Sequence, residues 1–419
     1  MQSNIRHLYA DILWYGVLAG SAMAFLAIYA ARLGANSFQI SLFTAAPAVV
    51  NLFISLPAGR WLEHQSIIRA TFWSAAFQRA GYLSFFFLPW FFNPEDQIWA
   101  MVVITLVMSI PGAFLAISFN ALFADVVPPD RRGEVVGKRN AIMALSLTVA
   151  SLTCGLVLDH VYFPLNFQLV FLLGAAGAAL STYHLGKLEY IADQPPPRIG
   201  KPLGDLAQLD TSRYPDTVRT ATGLRFLTRA GRRPFLRLDL LRSSFGPFIA
   251  VYLAFYIFLY LPIPLFPIAY IQLLDLSNGA ISLGNALFYG MMILSSLRLK
   301  EISARYGHHK VLTTGALLFG QYPLLLGLAR GEGLYWTASL FGGGIYGLVN
   351  AGLTNRLMER VPENERPAGM ALHNVALNLG ILAGSLMGPL LSQLIGLRPS
   401  LLVSAGLRFL GGILLGIWG

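Results

Sequence analysis

The sequence predicts an all-α membrane protein: twelve transmembrane helices in two six-helix bundles repeated in parallel. Three observations predict it, namely composition, an internal repeat and the distribution of positive charge. The 419 residues are 55% hydrophobic and 12% charged, with a mean hydropathy of +0.60. A soluble domain carries about 25% charged residues, so most of this chain is expected to sit in lipid.

The repeat has two parts. Ile28 through Leu42 returns about 241 positions later as Ala269 through Leu283. The pairs Tyr29/Tyr270, Leu33/Leu274 and Ile40-Ser41-Leu42/Ile281-Ser282-Leu283 keep register. A second echo, about 234 positions apart, matches Asp125 through Arg132 with Glu359 through Arg366 and sets Asn140 on Asn374. Each echo joins two long apolar segments. Two equivalent membrane halves around a midplane site are the plan of a secondary transporter.

A helix needs about 20 apolar residues to cross a bilayer. Spans are expected near 9–32, 38–59, 66–91, 97–123, 135–159 and 165–188, then near 245–271, 277–299, 309–329, 333–355, 367–395 and 398–418. The first stretch is too long for a signal peptide and pairs with a second-half helix, so it counts as a span. An even number of spans puts both termini on one side. Among Lys and Arg, only Arg32, Arg330 and Arg398 fall in loops on the other side, and Arg79 and Arg408 fall within spans. The rest mark the termini side as cytoplasmic. The net charge of +10 then marks a face that meets an anionic inner leaflet rather than nucleic acid.

The halves are 1–188 and 245–419, with a cytoplasmic loop at 189–244. Pro195-Pro196-Pro197 cannot continue the sixth helix. The later loop interleaves Arg225, Arg229, Arg232 and Arg237 with Phe226, Leu227, Phe235 and Leu238. That pattern suits a basic amphipathic segment lying on the membrane surface; a solvated linker is the plainer reading. The single Cys154 rules out an intrachain disulfide.

Four loop motifs carry a family resemblance. Gly59-Arg60-Trp61-Leu62-Glu63-His64, closed by Arg69, fills the loop after the second helix. Arg305-Tyr306-Gly307-His308-His309-Lys310 is its second-half copy, with Ala304 where an acid is expected. Asp125 through Arg132 and Glu359 through Arg366 form the other pair. On these the chain resembles the major facilitator superfamily of secondary transporters along its whole length, the first two motifs being degenerate forms of that family's Gly-x-x-x-Asp-Arg-x-Gly-Arg-Arg. The resemblance implies a cytoplasmic gate of Gly59, Arg60, Glu63, Arg69, Asp125, Arg132, Arg305, Gly307, Lys310, Glu359 and Arg366. Such charges would tie the halves together when the protein faces outward and release when it opens inward. The plainer reading is that they only set topology.

The resemblance also implies that helices 1, 4, 7 and 10 line a cavity, helped by 2, 5, 8 and 11. The substrate candidates are Tyr15, Asn51, Arg79, Asn120, Asn140, Tyr256, Asn285, Asn350, His373, Asn374 and Asn378. Aromatic and amide groups suit a ligand with polar and apolar faces; for any one of them, helix–helix hydrogen bonding is the common alternative. Polar groups at bilayer depth are expensive, so Arg79 and Arg408 each need either an anionic ligand, a charge relay or a structural bond. Proton coupling needs a buried group that changes protonation, and Asp11 and His373 are the candidates.

Gly380, Gly384 and Gly388, then Pro389, line one face of helix 11 and permit close packing. They resemble the Gly-x-x-x-Gly-Pro signature of the family's proton-driven exporters, which belongs in helix 5, where this chain has Gly155 without a following Pro. Pro262, Pro264 and Pro267 should bend helix 7. Gly342-Gly343-Gly344-Ile345-Tyr346-Gly347 imitates a dinucleotide loop, but it lies in an apolar span and reads as helix packing. His308-His309 lacks further ligands at metal spacing.

These features point to secondary active or facilitative transport of a small molecule by alternating access, with efflux of an amphipathic compound favoured. No enzyme, cofactor or metal is expected. The expected setting is a bacterial inner membrane, multi-pass, with the protein a monomer. The alternatives are a non-transporting scaffold, sensor or assembly factor, or a lipid flippase or scramblase. The gate reading predicts that Asp125→Asn or Arg132→Ala cuts transport in vesicles while membrane insertion stays intact; normal flux in both variants would leave these residues as topology determinants.

Overall fold

Aliphatic and aromatic runs of 20 to 30 residues leave the backbone no water to bond, so each folds as a helix that satisfies its own N–H and C=O groups. The computed structural model describes residues 2–62, 65–128, 131–189, 241–242, 245–361 and 366–419. The helices are α1 (Gln2–Arg32), α2 (Ser37–Leu62), α3 (Ile67–Phe91), α4 (Pro94–Val126), α5 (Arg132–His160) and α6 (Leu165–Leu185). The second set is α7 (Phe245–Leu273), α8 (Asn278–Tyr306), α9 (His308–Leu328), α10 (Glu332–Arg360), α11 (Arg366–Ile395) and α12 (Leu397–Trp418). Ten of these are long and apolar enough to cross a membrane by composition alone. The other two are α3, which carries Arg69 and Arg79 and packs on α4 and α6, and the glycine-rich α10, which packs on α8 and α9. The basic amphipathic segment expected in the 189–244 loop lies outside the described residues, as do Glu63 and the side chains of Arg60 and Arg366.

The two sequence echoes are matching chain reversals. Gly34 and Asp275, 241 positions apart, both take a left-handed conformation, with φ of 94° and 46°. Two residues on, Asn36 and Ser277 cap the next helix. The Asn36 side chain accepts from the Gln39 amide at 2.9 Å, and the Ser277 hydroxyl oxygen from the Ala280 amide at 3.0 Å. In the second echo Val127 and Val361 end α4 and α10 in extended conformations, and Arg132 and Arg366 open α5 and α11.

Packing repeats as well. In the first half α1 lies on α5 and α6, α3 on α4 and α6, and α2 on α4. Each pairing recurs six helices later: α7 on α11 and α12, α9 on α10 and α12, and α8 on α10. The halves then meet along two seams, α5 against α8 and α2 against α11.

Small residues set how closely the helices approach. A Cβ on Gly384 would lie 2.5 Å from the Ile257 carbonyl oxygen, and one on Gly388 2.0 Å from that of Leu261. The glycine face of α11 therefore rests directly on the backbone of α7. It does so where α7 breaks. That helix runs to Tyr260, loses regularity over residues 261–264, and resumes as Leu265–Ile268 and a π-turn at Ala269–Leu273. Pro262 and Pro264 have no N–H to continue the ladder. The dinucleotide-like glycines of α10 also serve packing, since a Cβ on Gly343 would meet the Phe288 carbonyl oxygen of α8. The sequence did not signal two irregularities: a π-turn in α1 at Ala19–Met23, and the interruption of α9 after Leu318.

Overpacking a close backbone contact costs about 1–3 kcal/mol. Gly384→Leu and Gly388→Leu should therefore lower the melting temperature of the purified protein. Gly406→Leu, where an added Cβ meets nothing within 4 Å, should leave it unchanged. Equal melting temperatures for all three would contradict the α7–α11 contact.

Candidate functional site

Three ionisable side chains meet inside the first half. Asp11 on α1 is 2% exposed. Its carboxylate stands 3.6 Å from Arg79 of α3 and 3.2 Å from Arg139 of α5, and it accepts the Ser181 hydroxyl of α6 at 2.6 Å. Arg79 also donates to Thr182 at 3.1 Å and lies over the Tyr15 ring. Arg139 stacks on Phe119 and Phe123 of α4. Four helices are thus pinned to one carboxylate. Two guanidiniums share a single acid, which leaves a local excess of positive charge.

Arg139 was not expected here. The charge count placed it with the cytoplasmic cations, whereas it lies two turns inside α5 and is largely buried. The sequence held one usable signal. Arg139 precedes Asn140, and His373 precedes Asn374 at the matching place of the second echo.

The second half builds a neutral version of this contact. His373 of α11 bonds the Tyr256 hydroxyl of α7 at 2.8 Å and stands edge-on to Tyr252. Tyr256 and Tyr252 match Tyr15 and Asp11 under the 241-residue offset. The imidazole Nδ1 has no partner. His373 and Tyr256, both named from sequence as cavity groups, are buried in this α7–α11 contact.

Arg408 of α12 is 1% exposed and bonds the Leu259 carbonyl, with its guanidinium over Phe319 at 4.8 Å and Phe266 at 5.8 Å. Leu259 is one residue before the end of the regular part of α7. Its normal partner, the Ile263 amide, bonds Tyr260 instead. Arg408 therefore satisfies a carbonyl that the proline break releases, which is the structural bond weighed for it.

The amides behave differently. Asn120, Asn140, Asn350 and Asn374 are exposed, on α4, α5, α10 and α11. Each lies two to three turns from the termini-side end of its helix. Exposed amides at that depth are costly against lipid and suit a water-filled path. Asn51, Asn285 and Asn378 are half-buried, and Asn378 bonds the Asn374 carbonyl of its own helix.

At the opposite end the halves are joined. Arg32 donates to the Leu276 carbonyl at 2.6 Å, and the Gly279 amide donates to Asp159 at 2.9 Å. A Cβ on Gly155 would collide with Ser282 across the same seam. The bundle is thus closed at the far end, with its exposed amides toward the termini end.

The residues expected to form a gate lie at the termini end. Asp125 is half-buried just beyond the apolar span Pro94–Phe123. Burial pushes its carboxyl up to about 6, against the pull of the Arg132 guanidinium. Its charge is therefore lost as pH falls below about 6. Arg132 donates to the Val127 carbonyl at 3.0 Å. Glu359 pairs with Arg356 at 3.1 Å. Arg69, Arg305 and Lys310 are exposed, and Gly307 turns the chain between α8 and α9 at φ 81°. Gly59 and Arg60 lie in the last turn of α2.

The family model described as Major Facilitator Superfamily matches residues 13–263 and 248–419. The chain belongs to that superfamily. Solved structures agree with its fold. The chain is similar to a variant of the nucleoside transporter NupG, at 12% identity, covering 99% of each chain with a TM-score of 0.74. It is similar to a bacterial homologue of the iron transporter ferroportin in an inward-facing state, at 14% identity, covering 100% of this chain and 99% of that one with a TM-score of 0.69. It is also similar to the E. coli xylose transporter XylE in a partially occluded inward-open conformation, at 12% identity, covering 98% and 96% with a TM-score of 0.65. No curated protein matches the chain in sequence. This superfamily member is therefore a multi-pass membrane protein with a transporter fold for a small molecule.

Removing one partner of a buried ion cluster costs about 3–5 kcal/mol. Asp11→Ala should lower the melting temperature strongly, and adding Arg139→Gln should recover part of the loss by removing one stranded cation. Strictly additive losses in this double-mutant cycle would contradict the shared carboxylate.

Proposed function

We propose that this superfamily member exports an uncharged, amphipathic small molecule across a bacterial inner membrane by alternating access, driven by proton entry. The termini side is cytoplasmic in this reading, and the exposed Asn120, Asn140, Asn350 and Asn374 line the substrate path. Neutral amides give a solute hydrogen bonds without asking it for charge. The transporters similar in fold act on solutes as different as nucleosides, xylose and iron. Fold alone does not choose among these; the neutral amides support an uncharged solute.

The observation that carries the coupling is Asp11 shared by Arg79 and Arg139. A proton arriving on the Asp11 carboxylate removes both ion pairs at once. The two guanidiniums then take new partners, and the packing of α1 against α3, α5 and α6 changes its balance between conformers. When the proton leaves on the cytoplasmic side, the pairs re-form and the cycle resets. His373, bonded to Tyr256 and with one free nitrogen, is the second candidate.

The test is flux in proteoliposomes carrying a pH gradient, with a panel of nucleosides, pentoses and lipophilic drugs. The wild type should move at least one solute against its gradient, and Asp11→Asn should keep solute exchange while losing pH-driven accumulation. Full pH-driven accumulation by Asp11→Asn would overturn the coupling role. Lipid movement without solute flux would favour the flippase reading. A silent panel with a co-purifying membrane protein would favour the scaffold.

A further inference from the structure

The far end of the molecule holds a cavity of about 370 Å³ walled by both halves. The first half supplies Arg32, Asp159, Phe163 and Phe167, and the second supplies Ser277 and Asn278. Arg32 and Asp159 have opposite charges and line the same space, yet they do not pair with each other. Each is held by the opposite half instead. Arg32 uses one terminal nitrogen for the Leu276 carbonyl and the Asn278 side chain, at 2.6 and 3.4 Å. Asp159 uses one oxygen for the Gly279 amide, at the start of α8. The Arg32 Nε has no partner. Phe163 and Phe167 stand edge-to-face and continue onto Tyr29, giving the space an aromatic side.

We propose that this cavity is an inhibitory site for a small aromatic zwitterion, taken from the side of the membrane opposite the termini. The ligand's carboxylate meets Arg32, its ammonium meets Asp159, and its ring lies on Phe163 and Phe167. Opposite charges from α1 and α5 lining one cavity match a molecule that carries both, and a monopole would leave one of them unmatched. The walls come together only while the far ends are joined. A ligand here therefore stabilises this conformer alone and holds the protein out of its cycle. The inference rests on the alternating-access reading for its consequence, but its binding is measured without flux.

The experiment uses the full-length purified protein and L-phenylalanine, with 3-phenylpropionate and phenethylamine as analogues that each lack one charge. L-Phenylalanine should raise the melting temperature by mass action. Each analogue should bind about tenfold more weakly or worse, since each gives up a charge-assisted bond. Phe163→Ala removes one aromatic face and no Arg32 or Asp159 bonding group, and it should weaken the shift. Arg32→Gln and Asp159→Asn should abolish it. Equal binding of all three compounds, no shift with L-phenylalanine at millimolar concentration, or an undiminished shift in Phe163→Ala would each overturn the proposal. None of those results bears on whether the protein transports.

Discussion

A carbonyl or amide in hydrocarbon has no water to bond, and the rest of this structure follows from that constraint. It makes every span a helix, and it makes every interruption of a helix a debt to be met by a neighbour. The break in α7 is the clearest case. Prolines remove the local donors, Arg408 reaches across from α12 to the freed Leu259 carbonyl, and the glycine face of α11 closes over the same stretch. A guanidinium that is 1% exposed is tolerated because it has a carbonyl to bond and two aromatic faces to lie on.

The same constraint explains the two halves' different treatment of one contact. In the first half α1 and α5 meet through Asp11 and Arg139; in the second, α7 and α11 meet through Tyr256 and His373. The helix contact is repeated with His373 in the place of Arg139, but the charge is not, and the bonded partner shifts by one turn from the Asp11 position to Tyr256. A neutral phenol–imidazole bond joins α7 to α11, whereas a carboxylate between two guanidiniums joins α1 to α3 and α5. The ion cluster lies in the first half and the broken, glycine-packed helix in the second.

Much of this was legible in the sequence because helix boundaries have short-range chemistry. Gly34 and Asp275, Asn36 and Ser277, Val127 and Val361 announce turns and caps through local residue types, and both echoes proved to be matching reversals. The bend in α7 and the packing role of the α10 and α11 glycines were legible for the same reason. What escaped depends on three dimensions. Arg139 looks like one more cytoplasmic cation until α1 and α3 bring Asp11 and Arg79 beside it. The burial of His373 and Tyr256 against each other, rather than into the cavity, is a matter of helix rotation that one sequence does not encode legibly. The π-turn of α1 has no proline or cap to mark it.

The central claim is that the two halves exchange far-end closure for termini-end closure. Distances between spin labels at His160 and Arg330, and between labels at Arg69 and Arg305, test it directly, because all four positions are exposed and each pair spans the halves. The account predicts two populations for each pair as pH is varied, the far-end distance lengthening in the population where the termini-end distance shortens. A single unchanging distance at both ends, in the wild type and in Asp11→Asn alike, would contradict it and leave a rigid membrane scaffold.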